Sequence, residues 1–315
     1  MMVNRHHSQQ VPDARSSLIS GNLYCLLAAL IWSLGFPAGS VLMESWDLLT
    51  LLLVRLLPST VILLIYWRLT EGRIPSHWFL WKKGLVIGAI GFGFGTVLLL
   101  YGQHISNPVT PAIAAAMMPI MGAILEIVLD RRRLTPRLAI GIACALLGGL
   151  MAAGIRWHSY DIGVGFIWCI IAVMLYAWAT RATTVHLATL TSMGQTTITL
   201  SGAGCFITII WLIAGFIYPM QISIGPITSH SLMMLFAFSI LSAAISQPLW
   251  IAGARQLGVA VASFHLNAVP VYVMAIMVYG FAGEWDSMRL VGAVIVGFGV
   301  IIAQTEPKMH RQHTG

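Results

Sequence analysis

Long apolar runs separated by short polar breaks restrict the fold of this chain more than any other feature of its sequence. A helix needs about 20 apolar residues to cross the hydrocarbon core of a bilayer. Runs of this kind predict ten transmembrane helices, of which the fifth and the tenth are short. The predicted helices cover residues 21–42, 48–67, 84–104, 108–129, 138–154, 163–180, 192–217, 230–252, 259–281 and 289–304.

The composition points to the same class of protein. Hydrophobic residues make up 58% and charged residues 9% of the 315 positions, against roughly 45–50% and about 25% in soluble domains. A soluble fold could not remove this much apolar surface from water. The lipid bilayer is therefore the expected surrounding of the chain.

The apolar pattern occurs twice. Residues of the fourth and fifth predicted helices recur 151 positions later, and Trp32 in the first helix stands 144 positions before Tyr176 in the sixth. The recurring residues are Pro119, Gly141, Gly148 and Ala152, which return as Pro270, Gly292, Gly299 and Ala303. The sequence therefore predicts two repeats of five helices. An odd number of helices per repeat gives the two repeats opposite orientations in the membrane.

The repeat also predicts how the chain is divided. A first repeat at residues 18–154 and a second at 163–304 are joined by an extracytoplasmic link at 155–162. Two polar tails, expected in the cytoplasm, complete the chain at residues 1–17 and 305–315.

Charges between the helices give the expected orientation. The link after the fourth helix contains Arg131, Arg132 and Arg133, whereas the link after the ninth contains Glu284 and Asp286. Because positive loops stay on the cytoplasmic side, both tails and fourteen of the seventeen Lys and Arg residues are expected there. The net charge of +7 then follows from topology, and no nucleic-acid partner is needed to explain it. The expected location is a cytoplasmic membrane, most simply a bacterial inner membrane.

Small residues mark one face of the third helix and the equivalent face of the eighth. They are Gly88, Gly91 and Gly95, which the offset of 151 places against Ser239, Ser242 and Ser246. Residues of this size let helices approach closely in lipid. The same face is also expected to border a central cavity, with the serines, Gln247 and Trp250 available to a solute. The two interpretations are compatible.

Two five-helix units, each with a proline in its fourth helix, a charged link and a glycine-spaced fifth helix, resemble the paired EamA units of the drug/metabolite transporter superfamily. The Trp32-Ser33 pair, Phe36-Pro37 and Arg55 resemble that family as well, and the match covers roughly residues 21 to 304. The resemblance implies an all-α polytopic membrane protein with ten transmembrane helices, arranged as two inverted repeats around a substrate cavity. Many such proteins export amino acids or other small metabolites. Arg133 stands where the family usually has an acidic residue, so a role at that position is not carried over.

Charged residues inside the predicted helices are candidates for function, because charge is costly in the membrane. Arg55 is expected either to tie its helix to backbone carbonyls or an outer loop, or to bind an anionic substrate group. Glu126 is expected either to reach the interface or a basic link, or to act as a proton-coupling carboxylate.

Polar residues of the ninth helix offer a second set of candidates. Asn267 shares a face with Ser263 and Pro270 and is the expected cavity residue, because Pro270 frees a nearby carbonyl. His265 is expected to be an interhelical hydrogen-bonding residue or a proton relay. Pro119 and Pro270 are the expected hinges or helix breaks.

Aromatic residues form the remaining candidates. Trp32 and Phe36 lie one turn apart, and Tyr176 occupies the repeat position of Trp32. These rings belong either to the core or to two walls of the cavity.

Together these features favour a secondary transporter that moves a small metabolite, such as an amino acid, by alternating access. Export is implied by the resemblance. The alternatives are a flippase for a lipid-linked small molecule, or a channel. No pattern indicates an enzyme, a metal or another cofactor, and a monomer is compatible with the sequence.

Overall fold

The computed structural model describes residues 14–72, 74–75, 77–105, 114–152, 164–217, 223–281 and 285–304. The predicted tails and the link at 155–162 lie almost entirely outside these residues. Every regular element in the described ranges is helical. The prediction of an all-α membrane protein is therefore confirmed.

Eight of the described helices are long and apolar enough to cross a membrane. Numbered by their place in the chain, they are α1 (Ser16–Met43), α2 (Leu48–Glu71), α3 (Trp78–Gly102), α6 (Gly165–His186), α7 (Ser192–Ile217), α8 (Ser229–Leu257), α9 (Val259–Gly280) and α10 (Ser287–Gln304). The most apolar of the eight is α2, although it contains Arg55.

Two shorter helices fill the remaining numbers. They are α4 (Met118–Asp130) and α5 (Pro136–Ala152), and they lie where the fourth and fifth spans are predicted. The first six residues of the predicted fourth span, 108–113, lie outside the described ranges. The prediction of ten membrane crossings therefore stays a prediction at α4 and α5.

Several helices run further than their apolar cores. The predicted sixth and eighth helices end at residues 180 and 252, whereas α6 ends at His186 and α8 at Leu257. The extra turns contain Arg181 and Arg255. An apolar run marks the hydrocarbon crossing, but backbone hydrogen bonding continues beyond it, where long charged side chains reach water.

Equivalent contacts join the two halves. Gly102 of α3 packs on Gly165 and on the cysteine one turn further along α6. Gly253 of α8 packs in the same way on Gly21 and the next cysteine of α1. The offsets of 151 and 144 seen in the sequence relate one contact to the other, so the repeat is visible in the packing.

The contact of α5 with α10 follows the same rule. A methyl group added at Gly141 would lie 2.8 Å from the carbonyl oxygen of Gly299, and one added at Gly299 would lie equally close to the carbonyl of Gly141. Gly148 and Gly292 form a second such pair. Glycine is required here because the two backbones touch.

Both halves contain a π-helical segment at the same place. In α3 it covers Gly88–Phe94, and in α8 it covers Phe236–Ile245. The offset of 151 maps the first segment onto residues 239–245, within the second. Such segments are rare and are often found at functional sites.

The helices that contain the two prolines are irregular. A 3₁₀ turn at His265–Ala268 interrupts α9 immediately before Pro270, and a turn at Met117 precedes Pro119 at the start of α4. Proline lacks the amide hydrogen that a continuous helix needs. These breaks lie where the sequence predicts them, and their use as hinges stays a prediction.

Candidate substrate site

Arg55 lies between three helices. Its Cζ is 4.6 Å from the centre of the Phe238 ring of α8, and its Nη2 donates to the carbonyl of Ser242 at 3.4 Å. A methyl group added at Gly35 of α1 would lie 3.7 Å from Nη1. The guanidinium is therefore directed towards α1 and α8.

No carboxylate among the described residues pairs with Arg55. The ion pairs of these residues involve Glu126, Asp130 and Asp286. A guanidinium has five N–H donors, and the described residues offer this one a single long hydrogen bond and an aromatic face. A half-buried cation with spare donors is costly within a membrane, so its place suits an anionic group.

Two serines fix the backbone of Arg55. The Ser59 hydroxyl donates to the Arg55 carbonyl at 2.5 Å, and the Ser239 hydroxyl donates to the same oxygen at 2.8 Å. The two hydroxyl oxygens are 3.0 Å apart. Ser59 lies one turn after Arg55, a spacing visible in the sequence although no prediction used it. This group ties α2 to the π segment of α8.

Tyr176 of α6 comes from the other half of the chain. Its hydroxyl is 2.7 Å from the Thr96 hydroxyl of α3, and its ring stacks on Phe92 at 6.3 Å between centroids. The polar end of Tyr176 is therefore held by α3.

Trp32 and Phe36 lie on either side of Gly35 along α1. Their rings are in edge-to-face contact, with centroids 5.1 Å apart. Trp32 is half-buried and Phe36 is 44% exposed. They therefore lie beside the contact of α1 with Arg55 and Ser242.

The predicted residues of α8 extend from Arg55 towards the end of the bundle that contains Arg131, Arg132 and Arg133, which we call the basic end. The hydroxyls of Ser242 and Ser246 donate within α8, to the carbonyls of Phe238 and Ser242. Gln247 is half-buried and makes no hydrogen bond to the described residues. The Trp250 indole donates to the Thr180 hydroxyl of α6 at 3.2 Å.

Helical spacing orders these residues into layers. Tyr176 and Thr180 are four residues apart on α6, and Ser246 and Trp250 are four apart on α8, so each pair shares one face of its helix. The contact of Thr180 with Trp250 therefore lies one turn nearer the basic end than Tyr176 and Ser246. One turn further lie Thr184 and Ala254.

The predicted residues of α9 are not grouped with Arg55. The Asn267 amide donates to the Ala145 carbonyl of α5 at 2.8 Å and to the Ala116 carbonyl at 3.4 Å, and it packs on Gly149. His265 is buried, and its Nδ1 is 3.1 Å from the Ala262 carbonyl. The Asn267 side chain is thus engaged by carbonyls of other helical segments, whereas the His265 ring contacts a carbonyl of its own helix.

Glu126 is buried at the basic end. Its carboxylate pairs with Arg132 and accepts a hydrogen bond from the Ala260 amide at 3.1 Å. Ala260 belongs to the first turn of α9, where a carboxylate is favoured by the exposed amides and the helix dipole. Glu126 thus ties α4 to α9, and this contact is the structural role that the sequence left open beside proton coupling.

A cavity of about 600 Å³ opens at the basic end. Its walls come from the link after α4, the ends of α6 and α8, and the start of α9. We call it the arginine vestibule, after Arg131, Arg132, Arg133, Arg181 and Arg255, which line it together with Glu126 and Asp130. One of these arginines is Arg133, which stands where the EamA family usually has an acidic residue. Sequence patterns did not reveal the vestibule, because three separate stretches of the chain build it.

Known proteins resemble this chain in sequence and in fold. Residues 19–154 match the EamA-like transporter family. The uncharacterized transporter YrdR of Bacillus subtilis (strain 168) is 24% identical over 307 residues, which cover 91% of this chain and 92% of that protein. A protein of known crystal structure is 17% identical and superposes with a TM-score of 0.73 over 91% of this chain and 96% of that one. These comparisons and the long apolar helices support a multi-pass membrane transporter whose residues 19–154 are similar to the EamA-like transporter family.

Proposed function

We propose that the protein is a secondary transporter of a small metabolite that carries a carboxylate or a similar anionic group, such as an amino acid, and that it works by alternating access. The observation that carries this proposal is Arg55, a half-buried guanidinium with no carboxylate partner among the described residues. A solute carboxylate would take the guanidinium donors in pairs.

The surroundings of Arg55 support a modest amphiphilic solute. Phe238 already covers one face of the guanidinium. The Tyr176 hydroxyl, the free amide of Gln247 and the ring of Trp32 would supply polar and aromatic contacts to the rest of the molecule. An amino acid or a small organic acid has the required mixture of charge and apolar surface.

Alternating access needs a closure on each side of the bound solute. Towards the basic end, the hydrogen bond of Trp250 with Thr180 lies between Arg55 and the arginine vestibule. Towards the opposite end, Gly39 of α1 packs on Phe238, where an added methyl group would lie 3.0 Å from the ring. Separation of α6 from α8 would open the first closure, and separation of α1 from α8 would open the second.

The proposed orientation places the basic end and both chain termini in the cytoplasm, because that end carries the arginine-rich link. The proposed location is the inner membrane of a bacterium. Export would then begin in the vestibule and end on the far side of α1. A monomer contains both halves of this path.

The test begins with a thermal-shift screen of the purified protein against amino acids and organic acids, since a ligand that binds the native state stabilises it. Radiolabelled counterflow of each stabilising compound in proteoliposomes then measures transport. Arg55→Lys should abolish both signals, because an ammonium cannot replace the paired guanidinium donors. Arg68→Lys, an exposed substitution on the same helix, is the matched control and should change neither.

Unsaturable flux would favour a channel, and scrambling of labelled lipid without counterflow would favour a flippase. Either result would contradict the proposal. Equal counterflow by Arg55→Lys and the unsubstituted protein would remove Arg55 from the site.

A further inference from the structure

The charges of the arginine vestibule are only partly compensated. Five arginines and two carboxylates line the cavity. Glu126 pairs with Arg132, and Asp130 makes a two-point contact with Arg181. Three of the five arginines are left without a carboxylate among the described residues. The cavity therefore has an excess of three positive charges.

The three remaining arginines are Arg131, Arg133 and Arg255. The Arg255 guanidinium is fixed by hydrogen bonds to the carbonyls of Leu190 and Ala188, at 3.1 and 3.0 Å. Arg131 has a φ of 55°, and this left-handed residue ends α4 and turns the chain along the rim of the cavity. All three side chains are exposed.

Topology alone does not explain this concentration. Lys82 and Lys83 lie at the basic end of α3 and meet the same requirement for positive charge, yet neither is among the described residues that line the cavity. Lys83 instead lies over the Phe79 ring at 4.3 Å. The uncompensated arginines are thus gathered around a concave space and are not spread over the surface.

We propose that the arginine vestibule is a binding site for small water-soluble anions that carry carboxylate or phosphate groups. A concave site with charges of one sign focuses the electric field and raises the local concentration of ions of the opposite sign. Its volume lies in the range of small-molecule sites, about 300–1,000 Å³. The planar guanidinium fork matches both carboxylate and phosphate oxygens.

The vestibule also lies on the proposed path of the solute, and only this part of the inference rests on the proposed function. Thr184 and Ala254 line the vestibule, two helical turns from Tyr176 and Ser246. Two turns correspond to about 11 Å. An anion held in the vestibule would be separated from Arg55 by the contact of Trp250 with Thr180. On this path the solute binds first in the vestibule and then at Arg55.

The test uses inorganic phosphate as the probe. Thermal unfolding of the purified protein in a neutral detergent is measured over a phosphate titration at constant ionic strength. The double variant Arg131→Gln/Arg133→Gln removes two vestibule charges, and Lys82→Gln/Lys83→Gln removes two charges from the same end outside the cavity. Loss of the arginine pair should weaken the apparent phosphate affinity about tenfold, whereas loss of the lysine pair should leave it unchanged.

Equal weakening in the two double variants would overturn the proposal, because it would mark a general effect of charge on the protein. A response to phosphatidylglycerol but not to phosphate would also overturn it, since the site would then hold lipid headgroups.

Arg55→Lys separates this inference from the proposed function. If phosphate binds in the vestibule, Arg55→Lys keeps the phosphate response while it loses counterflow. A phosphate response that is lost in Arg55→Lys and kept in the arginine double variant would place the anion at Arg55. That result would overturn the vestibule site and leave the proposed function standing.

Discussion

Two helix contacts, each of which joins the first half to the second, are related by the repeat and are built from opposite kinds of residue. In one, α2 meets α8 through Arg55 and Ser239, which are joined by a hydrogen bond. In the other, α7 meets α3 through Thr199 and Gly88, where an added methyl group would collide with the Thr199 backbone. The offsets of 144 and 151 relate each residue of the first contact to its counterpart in the second. The contact of α2 with α8 therefore includes a charged residue and a hydrogen bond, whereas in the contact of α3 with α7 the two backbones touch directly.

The next turn repeats the difference. Gly35 of α1 lies against Ser242, whereas its counterpart Ala179 of α6 lies against Gly91. Both contacts involve a π segment, so the backbones are alike and the side chains differ. The repeat therefore supplies the same backbone contact twice, and polar residues from both repeats distinguish the contact that forms the candidate site.

The largest expected effect comes from making the polar contact resemble the apolar one. Arg55→Thr gives α2 the residue that α7 has at the equivalent position. Counterflow efficiency should fall at least about 30-fold, since removal of one partner from a buried charged pair costs roughly 2–5 kcal/mol. Thr199→Val, which removes only a hydroxyl that bonds within its own helix, is the control and should retain transport. Similar losses in the two variants would mean that both contacts serve packing alone.

A smaller effect is expected from disturbing the apolar contact. Gly88→Ala should lower the free energy of unfolding by about 1–3 kcal/mol, because the added methyl group forces α3 away from α7. Gly297→Ala in α10 provides the comparison, since a methyl group there meets nothing within 4 Å among the described residues. Unfolding in mixed micelles measures both. Equal stability of the two variants would show that α3 and α7 do not need the glycine.

The smallest expected effect concerns the serine pair behind Arg55. Ser59→Ala and Ser239→Ala should each lower the free energy of unfolding by about 1 kcal/mol. A double-mutant cycle, measured by unfolding in mixed micelles, should give a coupling free energy of about 0.6 kcal/mol between the two serines. The counterparts of these serines at the contact of α3 with α7 are Gly88 and Ala203, which have no hydroxyl groups, so no such coupling is expected there. Additive effects of the two substitutions would mean that the two hydroxyls do not act together in holding the Arg55 carbonyl.

Sequence reasoning predicted the scaffold better than the site. Apolar length and the two offsets identified the helices, and the ranges 192–217 and 259–281 agree closely with α7 and α9. They also singled out Arg55, because a cation in an apolar run is conspicuous. These features are local or periodic, so a single chain displays them.

Other features depend on which face of a helix meets which neighbour, and periodicity does not contain that information. Asn267 is the predicted cavity residue, but its side chain meets α5 through Ala145 and Gly149. The contact of Arg181 with Asp130 joins residues 51 positions apart and has no sequence signature. Helix faces become assignable only when the packing partners are known.

The apolar character of α2 has a consequence for how the protein is made. During synthesis each span must partition from the translocation channel into lipid, and an arginine opposes this step by at most about 2.5–3.5 kcal/mol, the cost at the centre of a span. The ten leucines of Leu48–Glu71 each favour the step by roughly 0.3–0.6 kcal/mol. Their sum, roughly 3–6 kcal/mol, is at least comparable to the cost of Arg55. The span that carries the proposed binding charge can therefore enter the bilayer before any partner helix exists to shelter it.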